Sequence, residues 1–110
     1  EYTVQEILNK TNNYNSYQSH AYSGSPGIGA SSNKSSDFGI TATNAAQELT
    51  IIDITSGGAT GPFQLTINDG DTITLITANL PFTWDKMPIT KLELGSTTVN
   101  DDIGVLAYFN

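Results

Sequence analysis

Nucleophilic hydrolysis needs a base within hydrogen-bond reach of a serine, threonine or cysteine, and the usual base is histidine. The chain has one histidine, His20, inside the run Tyr14-Asn15-Ser16-Tyr17-Gln18-Ser19-His20, and no cysteine. That run has few aliphatic residues with which to build a rigid support, so His20 reads as an exposed residue rather than as a base. Zinc fails on the same count, since no second histidine or thiolate exists to complete a ligand set. Paired carboxylates could serve glycoside hydrolysis. Asp53, Asp69, Asp71, Asp85, Glu93, Asp101 and Asp102 are available, but nothing in their spacing marks one as buried or as a proton donor. No catalytic residue is singled out, neither metal nor cofactor is expected, and the chain reads as a non-enzyme.

Calcium would take hard oxygen ligands from acidic turns, and Asn68-Asp69-Gly70-Asp71 and Asn100-Asp101-Asp102 each offer two or three. The first lacks the spacing and the distal Glu of an EF-hand loop and reads rather as a plain hairpin turn. The second reads rather as an acidic loop capping a strand. Asn9-Lys10-Thr11 and Asn33-Lys34-Ser35 fit the glycosylation acceptor pattern, a pair that chance supplies in an Asn- and Ser-rich chain. The densest aromatic stretch is Asn79-Leu80-Pro81-Phe82-Thr83-Trp84-Asp85-Lys86-Met87-Pro88. Phe82, Trp84 and Met87 are costly to leave wet, so they either plug the end of a β domain or, with Asp85, form a loop that anchors a partner or stacks on a sugar ring.

These groups sit on a chain of 110 residues, enough for one domain, with a formal net charge of −7. Four lysines and no arginine leave no means of neutralising a run of phosphates or reading bases, and the acidity repels anionic lipid, so neither nucleic acid nor membrane is an expected partner. No apolar run approaches the length of a membrane-spanning helix. The first residue is Glu1, which fits either removal of a leader or trimming by a maturation protease.

The character of the chain changes near residue 37. Thr3 and Glu6 form a capping box, and Val4, Ile7 and Leu8 share one face, so residues 3–13 are predicted as a short helix ended by Thr11-Asn12-Asn13. Too short to stand alone, that helix must dock, on its own β domain or on a neighbouring subunit. Residues 12–37 are rich in Asn, Ser and Gly with Tyr14, Tyr17 and Tyr22 interspersed. They read as a linker or extended arm, because the segment has little apolar surface to offset its ordering entropy, while Tyr gives large contact area for few torsions. From residue 38 the period is two. Strands are predicted at Phe38–Thr43, Glu48–Thr55, Phe63–Asn68, Thr72–Ala78, Ile89–Leu94 and Ile103–Phe109, and the clearest hairpin turns through Asp69-Gly70. The last strand is apolar on both faces, as a central strand is, or one whose second face meets another subunit. The expected fold is mainly β: a helix and arm over 1–37, then a small antiparallel β-sandwich or jelly-roll-like barrel over 38–110.

The Thr-rich strands Gln64-Leu65-Thr66-Ile67 and Thr72-Ile73-Thr74-Leu75-Ile76-Thr77, with the Asn/Ser/Tyr arm and a first residue other than Met, give the chain a general resemblance to the accessory virion proteins of tailed bacteriophages, of the capsid decoration, cement or head-fibre type. That resemblance implies a virion protein, commonly a homotrimer, whose arm laces onto capsid subunits. The expected contacts are then Val4, Ile7, Leu8, Tyr14, Tyr17 and Tyr22, all toward protein partners. The alternative is an extracellular or cell-surface module, a carbohydrate-binding or adhesin domain working through Phe82, Trp84 and Asp85.

Overall fold

Alternation of apolar and polar residues turns one side of each strand toward a shared interior, and the computed structural model is built on it. It describes residues 14–23, 27–54, 62–96 and 102–110. The strands are β1 (Ser16–Tyr22), β2 (Ser32–Asn33), β3 (Glu48–Asp53), β4 (Phe63–Ile67), β5 (Thr72–Leu75), β6 (Phe82–Trp84), β7 (Leu92–Ser96) and β8 (Ile103–Phe109). They form two four-stranded antiparallel sheets, sheet I in the order β1-β8-β3-β6 and sheet II in the order β2-β7-β4-β5. Leu49, Ile51, Val105 and Phe109 from sheet I and Phe63, Leu65, Leu92 and Leu94 from sheet II meet in one buried core. The chain is thus mainly β, two antiparallel four-stranded sheets packed face to face, an arrangement that fits both of the architectures expected, since a jelly roll is itself an eight-stranded, two-sheet sandwich.

In its described residues the stretch expected as a linker or arm is part of the fold. Seven residues of the stretch expected to be extended, Ser16–Tyr22, pair in register along β8 from Ser16 opposite Phe109 to Tyr22 opposite Ile103. Backbone hydrogen bonds to β8 replace the apolar burial that this segment lacks, and of its side chains only Tyr22 is fully buried. Ile28, further along, is buried as well. The expected boundary near residue 37 therefore divides nothing in the core. Residues 3–13, expected as a helix, lie outside the described residues, and Val4, Ile7 and Leu8 with them.

Other corrections are local. Residues 38–43 form a turn, not a strand: Gly39 takes a φ of 70°, which breaks the extended run while Phe38 and Ile40 still face inward. Residues 79–88, read as a loop, contain β6, which pairs with β3. The hairpin turns one residue earlier than expected. Asn68 and Asp69 carry the left-handed torsions, φ 55° and 60°, and the Gly70 N–H donates to the Ile67 carbonyl at 2.9 Å. The reason is tertiary. Asn68 Oδ1 accepts from the backbone N–H of Thr90 at 2.7 Å and of Lys91 at 3.1 Å, and its Nδ2 donates to the Pro88 carbonyl at 2.7 Å, so its side chain ties the hairpin to the connection before β7.

One glycine is required by close approach. The chain at Gly29–Ser31 crosses β7, held by the Ser96 N–H donating to the Gly29 carbonyl at 2.8 Å, and a Cβ on Gly95 would overlap the Ser31 backbone. Overlap with backbone cannot be relieved by a rotamer change. Gly95→Ala is expected to cost about 2 kcal/mol or more, by forcing the crossing segment away from sheet II. A urea denaturation midpoint measures it, and an unchanged midpoint would contradict this account of the crossing.

Candidate interaction surfaces

The outer faces of the two sheets differ in kind. On sheet II, Gln64 stands opposite Thr74 and Thr66 opposite Thr72, whose hydroxyls lie 2.9 Å apart. Glu93 lies across from Thr66 on the other side. This is a polar, solvated face. On sheet I the rows across the outer face read Tyr17, Tyr108, Glu48, then Ser19, Leu106, Thr50, then Ala21, Gly104, Ile52. Tyr14 joins the first row. Its ring centroid is 5.4 Å from that of Tyr108, and its Oη donates to Glu48 Oε1 at 3.0 Å. Tyr17 lies 6.3 Å from Tyr108 on the other side and is 60% exposed. Ile52 and Ile54 lean over Gly104 and stay more than a third exposed, at 37% and 38%. Behind the face that fills the core, sheet I therefore presents a cluster of aromatic and aliphatic side chains set among Ser19, Glu48, Thr50 and, from β6, Thr83.

The tyrosines expected to reach a partner part company here. Tyr14 and Tyr17 come together on the outer face, whereas Tyr22 turns inward and is spent on the fold. Its Oη donates to Asp37 Oδ2 at 2.8 Å, the Lys34 ammonium lies 5.7 Å from its ring centroid, and the His20 ring packs against it, tilted, with centroids 4.4 Å apart. His20 also meets Phe38 edge-on at 6.1 Å, so its ring joins an aromatic cluster. Ser35 of the second glycosylation pattern is buried and accepts from the Leu92 N–H at 2.9 Å, while Asn33 Oδ1 caps the Ser35 N–H at 2.8 Å. That pair shapes a turn. Sequence reasoning did not join Tyr108 or Leu106 to the tyrosines. The signal was there, in the two apolar faces of the last strand, but not the strand that would lie beside it.

The aromatic stretch 79–88 resolves into a wall. Phe82 and Trp84 face inward from β6 at the edge of sheet I, half-buried, and Trp84 Nε1 donates to the Met87 carbonyl at 3.2 Å. Trp84 and Met87 face Ile67, Ile73 and Asp71 across a cleft of about 300 Å³, largely apolar, at the β5–β6 side of the sandwich. Asp85 points to solvent beside Lys86 at 3.9 Å, an exposed pair of little energetic weight. In the acidic turn, Asp69 is held by Lys91 at 2.7 Å, and this contact, with Glu93 at 3.6 Å from the same ammonium, raises the lysine above its ordinary value. Among the described residues no three His, Asp or Glu side chains gather as a metal site, and Asn100 and Asp101 lie outside those residues.

Comparison with protein families, with curated proteins and with solved structures yields no match to this chain.

The Tyr22 phenol is pushed far above its ordinary value, first by burial and then by donating to Asp37, whose charge opposes a second anion. The sign of the linkage follows. Above pH about 10 an unfolded tyrosine gives up its proton while folded Tyr22 keeps it, so the native state binds more protons and stability falls by about 1.4 kcal/mol per pH unit. Tyr22→Phe removes that slope together with the hydrogen bond. Its deficit at pH 8, about 1 kcal/mol, is expected to shrink as the pH rises to 11. Urea melts of both proteins across that range measure it, and parallel stability curves would refute the assignment.

Proposed function

We propose that the chain is a non-enzymatic structural protein of a larger assembly, a virion decoration or cement protein, and that it docks on protein subunits through the outer face of sheet I. One observation carries this reading: a sheet whose inner face already fills the core has a second face of Tyr14, Tyr17, Leu106, Tyr108 and Ile52, while the outer face of sheet II is polar. Apolar surface gathered on one side is what a docking face needs, and tyrosines suit it because each gives large contact area for two side-chain torsions. The tyrosines do this from a folded strand rather than from a loose arm, so less ordering entropy is lost on binding.

A second reading, a carbohydrate-binding or adhesin module, rests on the cleft beside Trp84. Its hydrogen-bonding groups weigh against it. The Trp84 N–H and both ends of the Asn68 amide are already engaged, which leaves Asp71 as the one charged side chain in the lining to read hydroxyls. Trp84 is the single tryptophan, so its emission reports on this cleft alone.

The test is a double substitution, Tyr17→Lys with Leu106→Lys. Both side chains lie on the outer face, so the thermal midpoint is expected to stay within a few degrees of the parent, as surface changes generally allow. Co-migration with the assembled particle through a density gradient is expected to be lost. Undiminished incorporation of the folded double variant would overturn the reading, and a saturable change in Trp84 emission on adding oligosaccharides would favour the second one.

A further inference from the structure

A sheet edge exposes unpaired backbone donors and acceptors, and proteins blunt such edges by shortening them, by placing charges or proline on them, or by bulging them. Among the described residues the two sheets have four edges, and three of them are blunted. β2 has two residues. β5 has four, preceded by Asp69 and Asp71. β6 has three, entered through Pro81 and left through Asp85 and Lys86. The fourth is different. β1 pairs with β8 over seven residues without a bulge, and Ser16-Tyr17-Gln18-Ser19-His20-Ala21-Tyr22 contains no Asp, Glu, Lys, Arg or Pro. Ser16 to Ser19 and Ala21 are exposed.

We propose that β1 is a homodimer edge: two copies pair their β1 strands antiparallel about a two-fold axis at Ser19, joining both copies of sheet I into one eight-stranded sheet. Two features select a second copy as the occupant. The first is charge. A chain of net charge −7 repels its own copy, and the longest of its edges is the one along which two copies approach without setting like charges opposite each other. The second is self-complementarity. With Ser19 opposite Ser19 of the other copy, the large Tyr17 stands across from the small Ala21, Tyr22 across from Ser16, and Gln18 across from His20, two side chains able to share a hydrogen bond. An edge bound by an unrelated strand has no need to match itself. The dimer also doubles the outer face of sheet I by running its tyrosine row on past the axis. It replaces the trimer that the virion resemblance implies, and it stands or falls independently of what that face binds.

The chain has no cysteine, so one introduced thiol reads the interface without interference. Opposed Cβ atoms in an antiparallel pair lie about 4.5–5.5 Å apart, near enough for small shifts to close a disulfide. Under mild oxidation Ser19→Cys is expected to form a covalent dimer rapidly, and Thr74→Cys on β5 is not. Sedimentation of the unmodified chain is expected to show a monomer–dimer equilibrium. Ser19→Lys, which sets two ammonium groups facing each other on the axis, is expected to weaken it about tenfold or more with an unchanged circular dichroism spectrum. Hydrogen exchange gives a readout that needs no substitution: protection of the β1 amides is expected to rise with protein concentration. A monomer at about 100 μM, equal cross-linking at positions 19 and 74, or β1 amides protected to the same degree at every dilution would each overturn the proposal. The last would mean that another part of the same chain covers the edge.

Discussion

Strand β8 sits inside sheet I and needs backbone partners on both sides. Ile103, Val105 and Phe109 bury one face of it, and Gly104 is buried on the other. An unpaired amide or carbonyl in that position would carry the full cost of desolvation, so the strand is stable there only if both of its edges are hydrogen-bonded. β3 satisfies one edge and β1 the other. Most of what distinguishes this sandwich follows from that requirement. A segment of Ser, Gln, His, Ala and Tyr is drawn into the sheet although it brings little to the core. Its outward Tyr17 then lands beside Tyr108, where Tyr14 joins it, and among the described residues the segment forms one of the two outer edges of sheet I.

The same requirement explains which parts of the fold could be read in the sequence. β4 and β8 are legible because their inner residues, Phe63, Leu65 and Ile67 or Ile103, Val105, Ala107 and Phe109, alternate without interruption and are buried at every step. β1 is opaque because its inner positions are Ser16, Gln18, His20 and Tyr22, and period two is invisible when three of four inward residues are polar. Its conformation is dictated by β8, more than 80 residues further on, and local composition carries no trace of that. The hairpin shows the same limit at finer scale. Asn68, Asp69 and Gly70 all tolerate left-handed torsions, so local chemistry allows two turns, and the amide of Asn68 selects one through bonds to residues 88–91.

The candidate surface was half legible for the same reason. Tyr14 and Tyr17 stand out as aromatic residues in a polar stretch, and Leu106 and Tyr108 stand out as a second apolar face, but their joining is a matter of strand order, which no local pattern encodes. Tyr22 looks like its neighbours in sequence and is used in the opposite way, as the member of the series whose phenol closes onto Asp37 beneath β1. The stretch around Trp84 was readable as an apolar plug or an anchor; Phe82 and Trp84 pack at the sandwich edge as a plug does, while Met87 remains 52% exposed.

The antiparallel pairing of β1 with β8 has a mechanical side as well. Ser16 lies opposite Phe109, so the polypeptide enters this pair of strands at the same end at which it leaves. Tension carried in before β1 and out after β8 falls on the terminal hydrogen bond first and then on the next, opening the pair like a zip instead of loading all its bonds together. Strands loaded that way yield at low force. A body of this construction holds best when it is gripped across the face of its sheet, and it gives way when its two strand ends are drawn apart.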